Sequence, residues 1–177
     1  MNGLNKGIRK IEVAVKWDPS PLGRPAVDLD LLAATYLASD PHGDPAYVVH
    51  FGSRSPDGTI TLSRDSRTGQ GLGWDEVMVL ELNRLDRRYA RVAVGVAIQQ
   101  QNGRKTFVDI QRPGLRIREE YDVLAEHDFG AVLGATAATV AEFVRDDSGA
   151  WSFVPGIRGY DTDPASFTRI MGSSPQP

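Results

Sequence analysis

A two-residue period runs through most of this 177-residue chain, and it constrains the fold more than any other feature. Ile11, Val13, Val15 and Trp17 alternate with Glu12, Ala14 and Lys16, the pattern of a strand with one face in a core. Val27, Leu29 and Leu31 alternate with Asp28 and Asp30 before the apolar run 32–38. Segments 47–51, 59–63 and 77–82 are further runs of β-forming residues, and Ser55-Pro56-Asp57-Gly58 is a turn signal between two of them. Residues 91–98 (RVAVGVAI) are apolar on both faces, which predicts a central strand covered on both sides. Asn102-Gly103 predicts a hairpin into a strand over 106–110. Segments 115–118, 139–144 and 151–154 complete the set, the last two flanking the turn residues 146–149.

Helix signals are sparse. Asp163-Pro164 opens a short helix over 165–171, with proline at the first helical position. The alanine-rich stretch 131–141 carries Gly134, Thr136, Thr139 and Val140, which oppose a helix there. Many short strands with regular turns predict an all-β fold, a β-sandwich of two mainly antiparallel sheets with few short helices. The expected organisation is one domain over 1–172 and a loose tail over 173–177.

Composition narrows the function. Net charge is −3 and the 20 basic residues are dispersed, so no stripe is present that would bind nucleic acid. No apolar run approaches the length of a membrane span, and the polar start of the chain lacks the apolar core of a signal peptide. The expectation is a cytoplasmic protein without membrane insertion. Cysteine is absent, which removes disulfides, thiolate metal sites and cysteine nucleophiles. The three histidines show no zinc-binding spacing, and no serine stands in a nucleophile-elbow motif. No enzymatic activity is expected.

The most unusual stretch is 65–76, DSRTGQGLGWDE, with Gly69, Gly71 and Gly73 at alternate positions between Asp65 and the pair Asp75-Glu76. Glycines let such a loop fold tightly and aim carbonyl oxygens inward, and carboxylates at its ends can surround a hard cation. An EF-hand is excluded, since Arg67 and Gln70 occupy positions that the motif reserves for a ligand and a glycine. A phosphate cradle is excluded too: the glycines lead into a strand, and the loop has no lysine. Asp28 and Asp30 form a second acidic element, on one face of a strand and separated by about 6.5–7 Å. Either that face is solvated, or a cation occupies it. Trp17 and Trp151 read as core anchors, whereas Trp74 in its polar loop either packs over the loop or stacks on a ligand.

These motifs, taken together, resemble the TerD family of tellurium-resistance, calcium-binding stress proteins. Asp28-Leu29-Asp30 with Ala33-Ala34 is similar to that family's DLDA-type motif, and Ser55-Pro56-Asp57-Gly58 to its SPDG turn. The loop 65–76 resembles its GDNxTGxGDGDDE calcium loop, keeping Asp65, Thr68, Gly69, Gly71, Gly73, Asp75 and Glu76 in register. Trp17-Asp18, Glu142-Phe143 with Arg145, Gly149-x-Trp151-x-Phe153 and Gly159-Tyr160 match further family motifs, in order, between residues 6 and 160.

What the resemblance implies is a non-enzymatic calcium-binding module of the stress response, acting with other proteins of a stress-response complex. Family ligands carry over to Asp28, Asp30, Asp65, Asp75 and Glu76, with Thr68 and the loop glycines as carbonyl donors. Ser66, Leu72 and Trp74 depart from the family pattern, the last two standing where it has acids. The implied Ca²⁺ site is therefore reduced to one ion, or lost. Asp75→Asn is expected to remove most of the calcium stabilisation while leaving the metal-free melting temperature nearly unchanged or slightly higher. The family's N-terminal glycine-rich strand pair is missing from the motif order, so an exposed sheet edge is expected to pair with a second copy or be covered by the C-terminal segment. The alternative is a small-molecule or carbohydrate-binding β-sandwich built around Trp74.

Overall fold

In a computed structural model, which describes residues 7–63, 73–101 and 103–173, the period of two becomes two packed sheets. The first sheet holds β1 (Lys10–Asp18), β4 (Ile60–Leu62), β5 (Glu76–Glu81), β7 (Gln111–Glu119) and β8 (Asp122–His127). Its order is β4-β5-β1-β7-β8. The second holds β2 (Leu29–Leu37), β3 (Tyr47–Val49), β6 (Tyr89–Ile98), β9 (Ala137–Arg145), β10 (Trp151–Val154) and β11 (Arg158–Tyr160). Its order is β10-β9-β6-β2-β3, with β11 also paired to β9. The pairings are antiparallel throughout, as expected for an all-β sandwich.

Alternation decides which side chains meet between the sheets. Ile11, Val13, Val15 and Trp17 of β1 enter the core together with Val92, Val94 and Val96 of β6 and with Phe143 and Trp151. Phe153, also expected inside, is only partly buried. β6 is covered on both faces. Its Ala93, Gly95 and Ala97 lie on the outer face of the second sheet beneath the helix α1 (Pro164–Ile170).

The helix starts where the sequence predicts: Asp163 caps it, its side chain accepting from the Ser166 N–H at 2.8 Å, and Pro164 follows. Phe167 and Met171 then pack over Leu32, Ala34, Tyr36 and the alanines of β6 and β9. The chain beyond is anchored as well. The Gly172 carbonyl accepts from Arg91 at 2.7 Å, and that of Ser173 from Arg158 at 3.1 Å. A Cβ on Gly95 would stand 2.7 Å from the Phe167 ring. Gly95→Ala is expected to cost about 1–3 kcal/mol by overpacking, and to speed hydrogen exchange at residues 167–171 before the rest of the second sheet.

Two local expectations fail. Residues 106–110 are not a strand: Phe107–Asp109 form a 3-10 turn, and β7 begins only at Gln111. The Asp109 carboxylate accepts from the Thr106 N–H at 2.9 Å, and Phe107 turns inward to stack on Phe129 at 4.5 Å. β6 therefore pairs with β2 and β9, not with a following hairpin partner. Asn102, half of the expected turn, lies outside the described residues. The C-terminal segment also covers a sheet face instead of an edge. It is the start of the chain that runs beside edge strand β10, the Ile8 N–H donating to the Trp151 carbonyl at 3.0 Å. Among the described residues no helix is long and apolar enough to cross a membrane.

Candidate metal centre

β3 is three residues long and pairs with β2 only at Ala33, Ala34 and Thr35. The Leu31 N–H, on the same side of β2, thus lies beyond the end of its neighbour. Glu76 supplies the acceptor instead: its Oε1 takes the Leu31 N–H at 3.0 Å. Glu76 opens β5 opposite Val15, so its side chain points inward from the first sheet and reaches the second. It is fully buried, although it is a carboxylate.

That reach brings Glu76 to Asp30 on β2 and to Asp28 just before it. Ligand oxygens of the three side chains all lie within 4.8 Å of one another. Two oxygens that share an ion at about 2.4 Å each cannot be farther apart than about 4.8 Å, a condition that every pair in the cluster meets. Asp30 is 3% exposed and Glu76 0%, while Asp28 is half-buried. Three clustered carboxylates in so dry a place are costly to keep charged, a cost that a cation or bound protons would offset. With oxygen donors and no imidazole in the cluster, the set suits a hard divalent cation rather than zinc.

The surroundings hold the acids in position. The Gln99 N–H donates to the Asp28 carbonyl at 2.9 Å, and the Gln99 carboxamide donates to Asp30 Oδ2. Gln99 was not a sequence-level candidate; its only signal is a polar side chain immediately after the apolar strand. Trp17 is a core anchor, as expected, but it also links the two acidic elements. Its indole N–H donates to the Val27 carbonyl at 3.0 Å, and its backbone N–H donates to Asp75 Oδ2 at 2.8 Å.

Of the five expected ligands, Asp28, Asp30 and Glu76 converge. Asp75 is not part of that cluster; it is buried and holds the Trp17 backbone. Asp65 lies outside the described residues, as do Thr68, Gly69, Gly71 and Leu72. The position of Asp75 gives its side-chain oxygen a structural role that an asparagine oxygen could keep and an alanine could not. Asp75→Ala removes the acceptor of a buried N–H and should lower metal-free stability by about 1–2 kcal/mol, measurable by urea unfolding in chelator. Trp74 is engaged by cations, with Lys16 Nζ 4.9 Å and Arg116 Cζ 4.6 Å from its ring centre.

Known proteins share the sequence and the fold. The TerD domain family profile matches residues 1–168. A crystal structure of a homologue of telluride resistance protein (TerD), SCO6318 from Streptomyces coelicolor A3(2), is 55% identical. It superposes with a TM-score of 0.93 and covers 96% of this chain and 100% of its own. The crystal structure of SAV2460, a protein of unknown function, is 70% identical with a TM-score of 0.94, covering 96% and 99%. Tellurium resistance protein TerX of Serratia marcescens is 30% identical in an alignment 165 residues long that covers 75% of this chain and 76% of that protein.

Proposed function

The chain belongs to the TerD domain family, and from that membership and its acidic cluster we propose that it is a non-enzymatic, calcium-binding module of the cytoplasmic stress response. One Ca²⁺ is held by Asp28, Asp30 and Glu76, with further oxygens completing its coordination. The observation that carries this reading is the convergence of three carboxylates from two different sheets. Asp30 lies in the second sheet, Asp28 directly precedes that strand and Glu76 lies in the first sheet, so an ion among them would tie the two layers together at this end of the sandwich. Its effect would be to neutralise the cluster and fix the local surface offered to other proteins of a stress-response complex. A second copy pairing along edge strand β4 or β8 is a further element of the proposal.

The reading is tested in cells that have been made tellurite-sensitive by loss of the corresponding gene. Wild-type protein is expected to restore growth on tellurite, and Glu76→Gln, expressed to the same level, is not. Equal rescue by both proteins would separate the stress function from the acidic cluster.

A further inference from the structure

Two short edge strands, β3 and β4, lie next to each other at the open side of the sandwich, one from each sheet. Each has three residues, so neither closes the side, and a cleft of about 440 Å³ remains between them. Its floor is apolar, from Val49, Ile60 and Leu62, and its rim carries His50, Phe51 and Arg54. That volume falls within the range of small-molecule sites.

The rim is built, not merely exposed. His50 and Ser53 exchange backbone hydrogen bonds at 3.0 Å in both directions, closing a turn with Phe51-Gly52 at its tip. The Gly52 N–H donates to His50 Nδ1 at 3.1 Å, which fixes the ring and leaves the proton of the neutral imidazole on Nε2. Burial holds the His50 pKa below its ordinary value, favouring that neutral form. Phe51 is 58% exposed and sits edge-on to His50 with ring centres 5.5 Å apart. Among the described residues Arg54 has no ion-pair partner, and it is the one charged side chain lining the cleft.

We propose that this cleft binds a small aromatic anion, its ring against Phe51 and the apolar floor and its acidic group on Arg54 and the His50 Nε2–H. The chemistry is that of an aryl phosphate or aryl carboxylate. Neither group alone would suffice: Phe51 offers an apolar face, and the guanidinium a paired-donor fork for an oxyanion. The site is separate from the acidic cluster, since no residue is common to the two.

Amide chemical-shift mapping tests this, with phenyl phosphate, benzyl alcohol and inorganic phosphate as probes and chelator present throughout to exclude cation-bridged binding. Phenyl phosphate is expected to shift residues 49–54 and 60–62 saturably, with a dissociation constant on the order of 10⁻³ M for so small a ligand. Arg54→Gln should weaken it about tenfold, the size of one charge-assisted hydrogen bond, and leave benzyl alcohol unaffected. Phe51→Ala should weaken phenyl phosphate and benzyl alcohol alike. Both side chains are surface-exposed, so neither variant threatens the fold. Absence of saturable shifts for phenyl phosphate, shifts confined to another part of the chain, or binding unchanged in both variants would overturn the proposal.

Discussion

Adding about 1 mM Ca²⁺ to chelator-stripped protein is expected to raise its melting temperature by roughly 5–11 °C. The estimate takes a dissociation constant of about 10⁻⁵ M, in the range of sensor-type sites. Calcium is then near 100 times that constant, and binding to the folded state alone stabilises it by about 2.7 kcal/mol. Glu76→Gln should remove the rise almost entirely, because it takes one of three charges from the cluster. The amide keeps an oxygen for the Leu31 N–H, so the metal-free melting temperature should stay within about 2 °C of wild type. Differential scanning fluorimetry in chelator and in Ca²⁺ reads both quantities. A rise of equal size in the variant would place the ion elsewhere.

A large single-residue effect on stability is expected at Arg145. Its guanidinium donates to the carbonyls of Asp86 at 2.9 Å, Tyr89 at 3.1 Å and Leu85 at 2.9 Å. Its Cζ also lies 4.7 Å from the centre of the Trp151 ring. One side chain therefore holds the connection between β5 and β6 and covers an aromatic of β10. Arg145→Ala should destabilise the fold by about 3–4 kcal/mol, allowing partial rehydration of the released carbonyls. In a domain of this size that is a fall of roughly 6–16 °C in melting temperature. Arg145→Lys should recover less than half of it, since an ammonium cannot reproduce the planar fork that serves three carbonyls at once. Full recovery by lysine would mean that charge near Trp151, and not the fork, is what stabilises.

The parts of the structure that were legible in sequence are those decided by burial along one strand. The alternation of β1 and the two-sided apolar run of β6 became a central strand in each sheet, because a strand's faces follow from its own residues. Asp163-Pro164 marked the start of α1 for a similarly local reason: the cap and the first-turn proline act on neighbouring backbone. Residues 106–110 misled because Thr106, Phe107, Val108 and Ile110 are β-forming residues that follow an Asn-Gly turn signal, while the Asp109 carboxylate turns the backbone instead.

The candidate site was half legible. Asp28, Asp30 and Glu76 stand out as acids beside strands, but their meeting depends on the reach of Glu76 between sheets and on the shortness of β3. Neither is written in local spacing. Asp75 and Glu76 are adjacent and look equivalent in sequence. Glu76 opens β5 and Asp75 directly precedes it, and the structure gives them different work: Glu76 joins the cluster, and Asp75 fastens Trp17. Gln99 was invisible because its importance comes entirely from the pairing of β2 with the residues after β6.

The most direct measurement of the central claim is isothermal titration of chelator-stripped protein with Ca²⁺ and, separately, with Mg²⁺. The cluster of Asp28, Asp30 and Glu76 predicts one Ca²⁺ per chain with a dissociation constant of about 10⁻⁵ M. Mg²⁺ should bind at least about tenfold more weakly, because it demands a smaller octahedral shell and gives up its waters reluctantly. Glu76→Gln should show no measurable Ca²⁺ heat over the same range. Absence of Ca²⁺ binding to the wild-type chain, or binding of unchanged affinity in the variant, would contradict the account.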